Sequence, residues 1–318
     1  MKKFRKLPSV YKWLFWGILL QLLLLNISAA FYAYRFTHFH SIDGGSMKQH
    51  KNIFTKTWRL FTGPKLYLLP TKETPSFPYQ NVLLTLKNNT SIAAWYSKQE
   101  KAKGCVLLFH GYTAEKSFLI KEAAQFKQWG YNVFLVDFRG HGASGGHTTF
   151  GYKESEEVAA AFSYARERGN QKIILYGVSM GAVAIMKATA EKRVQPAALI
   201  ADMPFGSLQD HYIARARNNS LPPQPFPFLV TFYTGVENRY NGFDNTPVIF
   251  AKKISCPVLL EWGARDQYVT RDEINTIYER LISKNKQLAI YPEANHESYL
   301  QKEPALWKNK VNQFLESL

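Results

Sequence analysis

The sequence predicts an α/β fold with a mostly parallel sheet, and two observations carry this prediction. From about Tyr79 onward, short apolar runs typical of strands alternate with longer runs that have the apolar spacing of helices. Several central runs, such as Cys105–Phe109, are continuously apolar, as expected of parallel strands that helices cover on both faces. The alternation reaches the C-terminus without an internal repeat, so one domain is expected over residues 79–318.

The first element along the chain is an apolar stretch from Trp13 to Tyr34, which contains no charged residue. As a helix its 22 residues would span about 33 Å, close to the hydrocarbon thickness of a membrane. Five basic residues precede it within residues 1–12, which favours a transmembrane anchor with a cytoplasmic tail and a domain on the outer face. The alternative is a secreted protein whose signal peptide is cleaved near Ser28-Ala29-Ala30. The apolar run continues past that site, and this favours the anchor.

Residues 35–78 have mixed polarity and no clear periodicity, and they are predicted to form a membrane-proximal segment. Eight strands are then predicted at Asn81–Leu86, Ser91–Tyr96, Cys105–Phe109, Asn132–Val136, Lys172–Tyr176, Ala197–Ala201, Val258–Trp262 and Gln287–Tyr291. Helices are predicted between and after them at Lys116–Trp129, Tyr152–Arg168, Met180–Lys192, Arg271–Ser283 and Pro304–Leu315.

A proline-rich and aromatic segment, residues 203–255, interrupts this alternation after the sixth strand. An insertion of roughly fifty residues inside a compact domain is usually functional, often as a lid or a substrate wall. We therefore predict a cap over the site, with Phe205, Tyr212 and Phe228 as candidate substrate-binding residues. The alternative is a helical decoration that only packs on the domain.

The net charge of +16 raises the question of a nucleic-acid partner. Beyond the N-terminal tail the basic residues are scattered, so a solvated basic surface is favoured, and attraction to anionic lipid headgroups is a further possibility. The sequence shows no metal-ligand cluster, phosphate loop or dinucleotide motif, and it predicts no metal and no cofactor. Cys105 and Cys256 each begin a strand-like run and are expected to be free and buried.

The strongest motif is Gly177-Val178-Ser179-Met180-Gly181, which lies between a strand-like run and a helix-like run. A strand, a sharp turn carrying serine and a helix form a nucleophile elbow, in which bulkier residues than glycine would collide with the flanking elements. Residues 142–146 match the same pattern around Ser144, but no helical run follows them. Ser179 is therefore the predicted nucleophile, and Ser144 is a loop serine.

A serine nucleophile needs a base and an acid that orients the base. His296 follows the last strand, and Asp266 follows the seventh strand in the turn Gly263-Ala264-Arg265-Asp266. In open α/β sheets these strand ends carry the chemistry, so Ser179, Asp266 and His296 are the predicted catalytic residues. Asp202, after the sixth strand, is the reserve acid.

These motifs, together with Leu108-Phe109-His110-Gly111 and the loop from Asp137 to Ser144, resemble the α/β-hydrolases over about residues 80–318. The group is that of bacterial esterases, monoacylglycerol-lipase-like and serine-aminopeptidase-like enzymes. The resemblance implies an oxyanion hole made by the backbone N–H groups of Tyr112 and Met180. It also implies a largely structural role for Asp137, Arg139 and His141, and a strand order that keeps the two cysteines apart.

Three functions are compatible with this resemblance. The favoured one is a serine hydrolase that cleaves carboxylic esters, either short acyl esters or monoacyl lipids, as the anchor and the aromatic insertion suggest. The second is a peptidase or a thioesterase that uses the same three residues. The third is a binding protein without activity, against which the complete set of catalytic side chains argues.

Overall fold

The computed structural model describes residues 9–41 and 52–318, and its centre is one eight-stranded sheet in the order β1-β2-β4-β3-β5-β6-β7-β8. The strands are β1 (Gln80–Thr85), β2 (Ser91–Ser97), β3 (Cys105–Phe109), β4 (Asn132–Val136), β5 (Ile173–Val178), β6 (Ala198–Asp202), β7 (Val258–Gly263) and β8 (Lys286–Tyr291). Strand β2 is antiparallel to β1 and β4, and the other pairs are parallel. The predicted mostly parallel sheet is confirmed.

The helices in chain order are α1 (Ser9–Thr37), α2 (Ile53–Thr62), α3 (Ile120–Gln128), α4 (Ser155–Glu167), α5 (Met180–Ala190), α6 (Leu208–Asn218), α7 (Phe226–Glu237), α8 (Pro247–Ala251), α9 (Arg271–Arg280), α10 (Tyr299–Lys302) and α11 (Pro304–Glu316). All five helices predicted within the domain are present. The one predicted at Lys116–Trp129 begins with a 3₁₀ turn, Lys116–Leu119, and continues as α3.

Two apolar layers cover the two faces of the sheet, which explains why the central strands are mostly apolar. On one face, side chains such as Phe126 of α3 and Trp307 and Phe314 of α11 pack against the strands. On the other face the layer comes from α4, α5, α8 and α9, with Val158 and Ile274 among its buried residues. Because apolar side chains from alternate positions enter both layers, every residue of β3, β4, β6 and β7 is buried.

The insertion of residues 203–255 consists of helices α6, α7 and α8 with connecting turns, and the sequence did not predict these helices. The proline-rich run lies between α6 and α7, and Pro227 falls in the first turn of α7. Backbone N–H groups in a first turn have no acceptor within the helix, so a proline there breaks no helical hydrogen bond. Helix α7 packs along α1, and Tyr233 donates a hydrogen bond of 3.0 Å to Asn26 Oδ1. The insertion therefore joins the domain to the N-terminal helix.

The N-terminal helix α1 divides into two parts. From Val10 to Leu24 every residue is exposed, whereas Ala29, Ala33 and Phe36 are buried against the α/β domain. Most of the predicted basic tail, residues 1–8, lies outside the described residues. The helix is long and apolar enough to cross a membrane, by length and composition.

Within the predicted membrane-proximal segment, residues 35–78, the structure contains a helix that the sequence did not predict, α2 at Ile53–Thr62. The apolar residues at positions 53, 54, 58 and 61 have a helical spacing that was missed in the mixed composition. The Asn52 side chain caps the helix by accepting from Thr55 N at 2.8 Å. Residues 42–51, which precede it, lie outside the described part of the chain.

Both cysteines are free, as the sequence predicts, but only Cys105 is buried, whereas Cys256 is half-buried. Cys105 lies in β3 and Cys256 precedes β7, and strands β5 and β6 separate these two positions in the sheet. Strands are spaced by about 4.8 Å, so the thiols are too far apart for a disulfide.

Candidate active site

Ser179 occupies the sharp turn between β5 and α5. Its backbone has φ 53° and ψ −111°, a conformation that non-glycine residues rarely adopt, and its N–H donates to Asp202 O at 2.8 Å. A Cβ on Gly177 would lie 2.6 Å from the Gly181 backbone, and one on Gly181 would collide with the Phe109 carbonyl. The two glycines therefore let the strand and the helix approach closely enough to hold this serine in its strained conformation.

The structure brings the three residues predicted as catalytic into one hydrogen-bonded chain. Ser179 Oγ lies 3.0 Å from His296 Nε2, and His296 Nδ1 lies 2.8 Å from Asp266 Oδ2. The other carboxylate oxygen, Asp266 Oδ1, accepts the backbone N–H groups of Tyr268 at 2.7 Å and Val269 at 2.9 Å. The turn after β7 thus fixes the carboxylate, the carboxylate orients the imidazole, and the imidazole can take the serine proton.

The loop after β3 passes directly beside the serine. A Cβ built on Gly111 would be 3.6 Å from the Ser179 Cβ, and Tyr112 is the next residue. Within the part of the chain that the structure describes, the N–H groups of Tyr112 and Met180 donate no hydrogen bond. Met180 begins α5, so its N–H belongs to the first turn of a helix, which favours an anion.

Helix α1 contributes to the support of this loop. The hydroxyl of Tyr112 donates to the backbone oxygen of Phe36 at 2.6 Å, and its ring stacks on Phe150 with ring centres 4.6 Å apart. Burial raises the pKa of the Tyr112 hydroxyl, so the group remains a donor. The end of α1 is therefore part of the framework that holds the loop beside Ser179.

Asp202, the reserve acid, is directed away from His296. Its Oδ2 accepts from the Tyr176 hydroxyl at 2.6 Å, and its neighbour across the sheet is Glu261, whose carboxylate accepts from the Tyr291 hydroxyl. Burial raises the pKa of both carboxyl groups. Two adjacent buried carboxyl groups with raised pKa values favour a proton held between them, and the contacts of Asp202 are with Tyr176 and Glu261 instead of His296.

The loop from Asp137 to Ser144 is held by hydrogen bonds and ion pairs, most of them to surrounding elements. Asp137 accepts from the Lys116 ammonium at 2.6 Å, and Ser144 Oγ donates to Asp137 O at 2.8 Å and accepts from Ala93 N at 2.9 Å. Arg139 forms ion pairs with Glu156 and Glu157 of α4. These contacts account for the side chains of Ser144, Asp137 and Arg139 without a substrate.

Two buried histidines connect this loop to the one beside Ser179. His110 Nε2 accepts from Phe138 N at 3.0 Å, and His141 Nε2 accepts from Thr113 N at 3.3 Å. Burial lowers the pKa of His110 to about 4 and also lowers that of His141. Both imidazoles are therefore neutral and can accept these backbone N–H groups near neutral pH.

The three candidate substrate-binding residues have different surroundings. Phe205 is buried, with its ring 5.2 Å from that of His211, and Tyr212 is buried with its hydroxyl 2.9 Å from the Thr234 hydroxyl. Phe228 is 45% exposed, and its ring contact among the described residues is with Phe243. The structure thus places Phe205 and Tyr212 in the buried aromatic cluster around His211, and Phe228 on the outer surface of α7.

Two residues beside the site were not predicted from the sequence, His211 and Arg215 of α6. The His211 ring packs against Phe150, and its Nε2 accepts from Arg215 Nε at 2.9 Å. The Arg215 guanidinium lies 4.9 Å from the centre of the Tyr112 ring. Burial, helped by the charges of Arg215 and His296, lowers the pKa of His211 well below its usual value. No local motif marks either residue, because both come to the site only through the docking of the insertion.

The described residues contain no group of three or more histidine, cysteine, aspartate or glutamate side chains that could hold a metal ion.

Two family models match the chain. The model described as serine aminopeptidase, S33, matches residues 100–227, and that of the dienelactone hydrolase family matches residues 229–313. Together with the sheet order and the strand–serine–helix turn, these matches define the class of protein to which the chain belongs. The chain belongs to the α/β-hydrolase superfamily, which has esterase-like and aminopeptidase-like members.

Individual relatives agree with this class. The Bacillus subtilis protein YqkD, described as uncharacterized, is 28% identical over 67% of this chain and 71% of its own length. An uncharacterized membrane protein of Saccharomyces cerevisiae, YNL320W, is 23% identical over 71% of this chain and 76% of its own. The solved structure of the Pyrococcus furiosus esterase Pf2001 is 27% identical and covers 79% of this chain and 96% of its own, with a TM-score of 0.66. These similarities indicate a hydrolase of the esterase type.

Proposed function

We propose that this protein is a membrane-anchored serine esterase, which cleaves carboxylic esters through an acyl-enzyme formed on Ser179. The observation that carries the proposal is the hydrogen-bonded chain from Ser179 Oγ through His296 to Asp266, with distances of 3.0 and 2.8 Å. A non-catalytic binding protein would have no need for a strained serine, an oriented imidazole and a buried carboxylate in one line.

The proposed reaction follows from the positions of these groups. His296 Nε2 takes the Ser179 proton while Oγ attacks the ester carbonyl, and the resulting oxyanion accepts hydrogen bonds from the N–H groups of Tyr112 and Met180. The imidazolium then gives its proton to the departing alcohol, which leaves an acyl group on Ser179. Water, deprotonated by His296, attacks this acyl-enzyme and releases the acid, so the serine and the imidazole return to their starting states.

The same residues could act on an amide or a thioester, and the match to the serine aminopeptidase model favours testing a peptidase. A panel of ester, thioester and aminoacyl-amide substrates with the same acyl group separates these functions. The esterase proposal expects kcat/KM to be highest for the ester by at least tenfold. A higher kcat/KM for the amide would replace the proposal by a peptidase.

We further propose that the insertion forms an acyl-binding wall, with Phe205 and Tyr212 in its buried part. Burial of each additional methylene contributes about 0.8 kcal/mol, so kcat/KM on p-nitrophenyl esters should rise roughly two- to fourfold per carbon until the wall is filled. The variant Phe205→Leu should flatten this rise, with little effect on the acetate ester. The measurement is kcat/KM from acetate to dodecanoate.

The matched control is Phe228→Leu, because the exposed ring of Phe228 packs on Phe243 at the surface. This variant should keep the chain-length dependence of the wild type. If Phe205→Leu lowers kcat/KM equally on acetate and on long esters, the insertion only supports the fold. If Phe228→Leu flattens the chain-length dependence as Phe205→Leu does, the wall extends to the outer surface of α7.

The apolar helix α1 supports a membrane location with the N-terminus in the cytoplasm and the domain on the outer face. Helix α1 continues without interruption through the alternative cleavage site, where Ala29 is fully buried and Ser28 Oγ donates to Phe61 O at 2.5 Å. Cleavage near Ala30 would remove these contacts. The positions of the basic residues before Trp13 support the proposed orientation.

The anchor is tested by fractionation. After alkaline carbonate extraction the full-length protein should remain in the membrane pellet, because removal of the apolar helix from lipid is unfavourable. Protease added to cells whose cell envelope outside the membrane has been made permeable should digest the domain. The same treatment should leave a cytoplasmic control protein intact. A soluble protein whose mature N-terminus lies near Phe31 would contradict the anchor and establish the cleaved form.

A further inference from the structure

Helix α2 is exposed along most of its length, although half of its residues are apolar. Ile53 is 79% exposed, Phe54 74% and Leu60 67%. With about 3.6 residues per turn, the apolar side chains at positions 53, 54, 58, 60 and 61 fall within an arc of roughly 160°. The exposed side chain of Lys56 lies outside this arc. Large apolar side chains grouped on one exposed face indicate an interaction surface.

This apolar face begins where α2 is attached to the N-terminal helix. Ser28 Oγ of α1 donates to Phe61 O at 2.5 Å, so the C-terminal end of α2 is fixed to α1. The ring of Phe31, which is itself exposed, has its centre 6.4 Å from that of Trp58 and 6.4 Å from that of Phe61. The apolar face of α2 is therefore continuous with the exposed apolar surface of α1.

The part of α1 that is free of the domain is too short to cross a membrane alone. Every residue from Trp13 to Leu24 is exposed, and these residues rise by only about 18 Å, whereas a hydrocarbon core is about 30 Å thick. A tilted helix needs still more residues to cross the same thickness. Because the charge of Lys12 limits the span at one end, residues 25–32 must complete it at the other.

These completing residues are the ones against which α2 packs. From Trp13 to Phe31 the helix rises by about 27 Å, so Phe31 lies at the boundary between acyl chains and headgroups on the side of the domain. Trp58 and Phe61 lie beside Phe31, and α2 is therefore at the same depth. A helix at this depth, with one apolar face and Lys56 on its other side, has the character of a helix that lies in the plane of a membrane interface.

We propose that α2 lies in the interface of the membrane leaflet on the domain side and inserts Ile53, Phe54 and Leu60 among the acyl chains. The proposal rests on the proposed anchor α1 and adds a second contact between the domain and lipid. A single spanning helix lets the domain tilt with it, and a contact beside its axis restricts this tilt. The end of α1 also supports the loop beside Ser179 through Tyr112, so the contact orients the candidate active site relative to the leaflet.

The test places a bimane fluorophore on one introduced cysteine of the full-length protein in phosphatidylcholine vesicles, with lipids brominated in the acyl chain as quenchers. A Cys256→Ala background removes the half-buried thiol, and Cys105 is fully buried. The fluorophore of Phe54→Cys should be quenched as strongly as that of Leu20→Cys in the exposed part of α1. The matched control is Ile282→Cys, an exposed apolar position between α9 and β8, which should not be quenched.

A charged variant tests whether the apolar face is the cause of this contact. The changes Ile53→Asp and Leu60→Asp, added to Phe54→Cys, replace two exposed side chains and leave the core intact. Because a carboxylate is expelled from hydrocarbon, they should abolish quenching at position 54. The same two changes added to Leu20→Cys should leave quenching at position 20 unaltered. Quenching at position 54 that persists in the charged variant would overturn the proposal.

The remaining outcomes separate failure of this proposal from failure of the anchor. Quenching at position 20 without quenching at position 54 would overturn the membrane contact of α2 and keep the anchor. Absence of quenching at both positions would overturn the anchor and, with it, the proposal. If position 54 is not quenched by brominated lipid and is also shielded from iodide in the water, a second protein chain covers the face of α2 instead of lipid.

Discussion

Replacement of Ser179 by alanine is expected to abolish labelling by a fluorophosphonate probe and to lower kcat on esters by roughly 10⁴- to 10⁶-fold. The reason is that the covalent acyl-enzyme requires Ser179 Oγ, which lies 3.0 Å from the base His296. The measurement is gel fluorescence of the labelled protein together with steady-state kinetics on a p-nitrophenyl ester. The oriented imidazole and the oxyanion N–H groups remain, so a small rate above that of water is expected.

The control for this change is Ser144→Ala, because Ser144 lies in the second copy of the glycine–serine pattern. Its hydroxyl is engaged with Asp137 O and Ala93 N, so the substitution should cost about 1–3 kcal/mol of stability but leave the labelling intact. Labelling that survives in Ser179→Ala and is lost in Ser144→Ala would overturn the assignment of the nucleophile.

The second large effect is expected for Asp266→Asn, which should lower kcat by about 10⁴-fold with little change in KM. The carbonyl oxygen of the introduced amide would continue to accept hydrogen bonds from the N–H groups of Tyr268 and Val269. Its NH₂ group would then donate to His296 Nδ1. That hydrogen bond stabilises the tautomer with the proton on Nε2, which cannot accept the proton of Ser179. The loss should therefore appear in kcat and remain across the neutral pH range.

The comparison variant is Asp202→Asn, whose side chain is bonded to Tyr176 below the elbow. The substitution changes a buried pair without contact to His296, so it should alter thermal stability more than kcat. A near-normal kcat in Asp266→Asn combined with a large loss in Asp202→Asn would assign the role of the acid to Asp202.

Local sequence patterns were sufficient to predict the sheet and the strand ends at which the candidate site lies. Eight runs rich in apolar residues gave the eight strands, and the central runs were the clearest because strands covered on both faces are buried at nearly every position. Ser179, Asp266 and His296 could be proposed because each follows a strand, and the structure brings their side chains within hydrogen-bond distance. Such residues are recognisable because a turn at a strand end leaves a local signature of glycine and polar side chains.

Helix α2 and the contacts of the insertion required the tertiary structure. Helix α2 has ten residues, too few to be stable alone, and it is held by hydrogen bonds to α1 from residues such as Ser28 and Tyr32. Phe228 could not be distinguished from Phe205 by sequence, since both are aromatic residues of one insertion. The tertiary structure buries Phe205 beside His211 and leaves Phe228 exposed on α7.

The sequence by itself therefore determined the class of fold, the apolar N-terminal helix and the three candidate catalytic residues. The tertiary structure decided that the last turns of α1 belong to the domain, that Tyr112 is held by the Phe36 carbonyl, and that Arg215 lies over Tyr112. The physical reason is the range of the interactions. Strand burial and turn geometry depend on residues that are neighbours in the sequence. These contacts instead join segments that are far apart in the chain and that meet only when the chain packs.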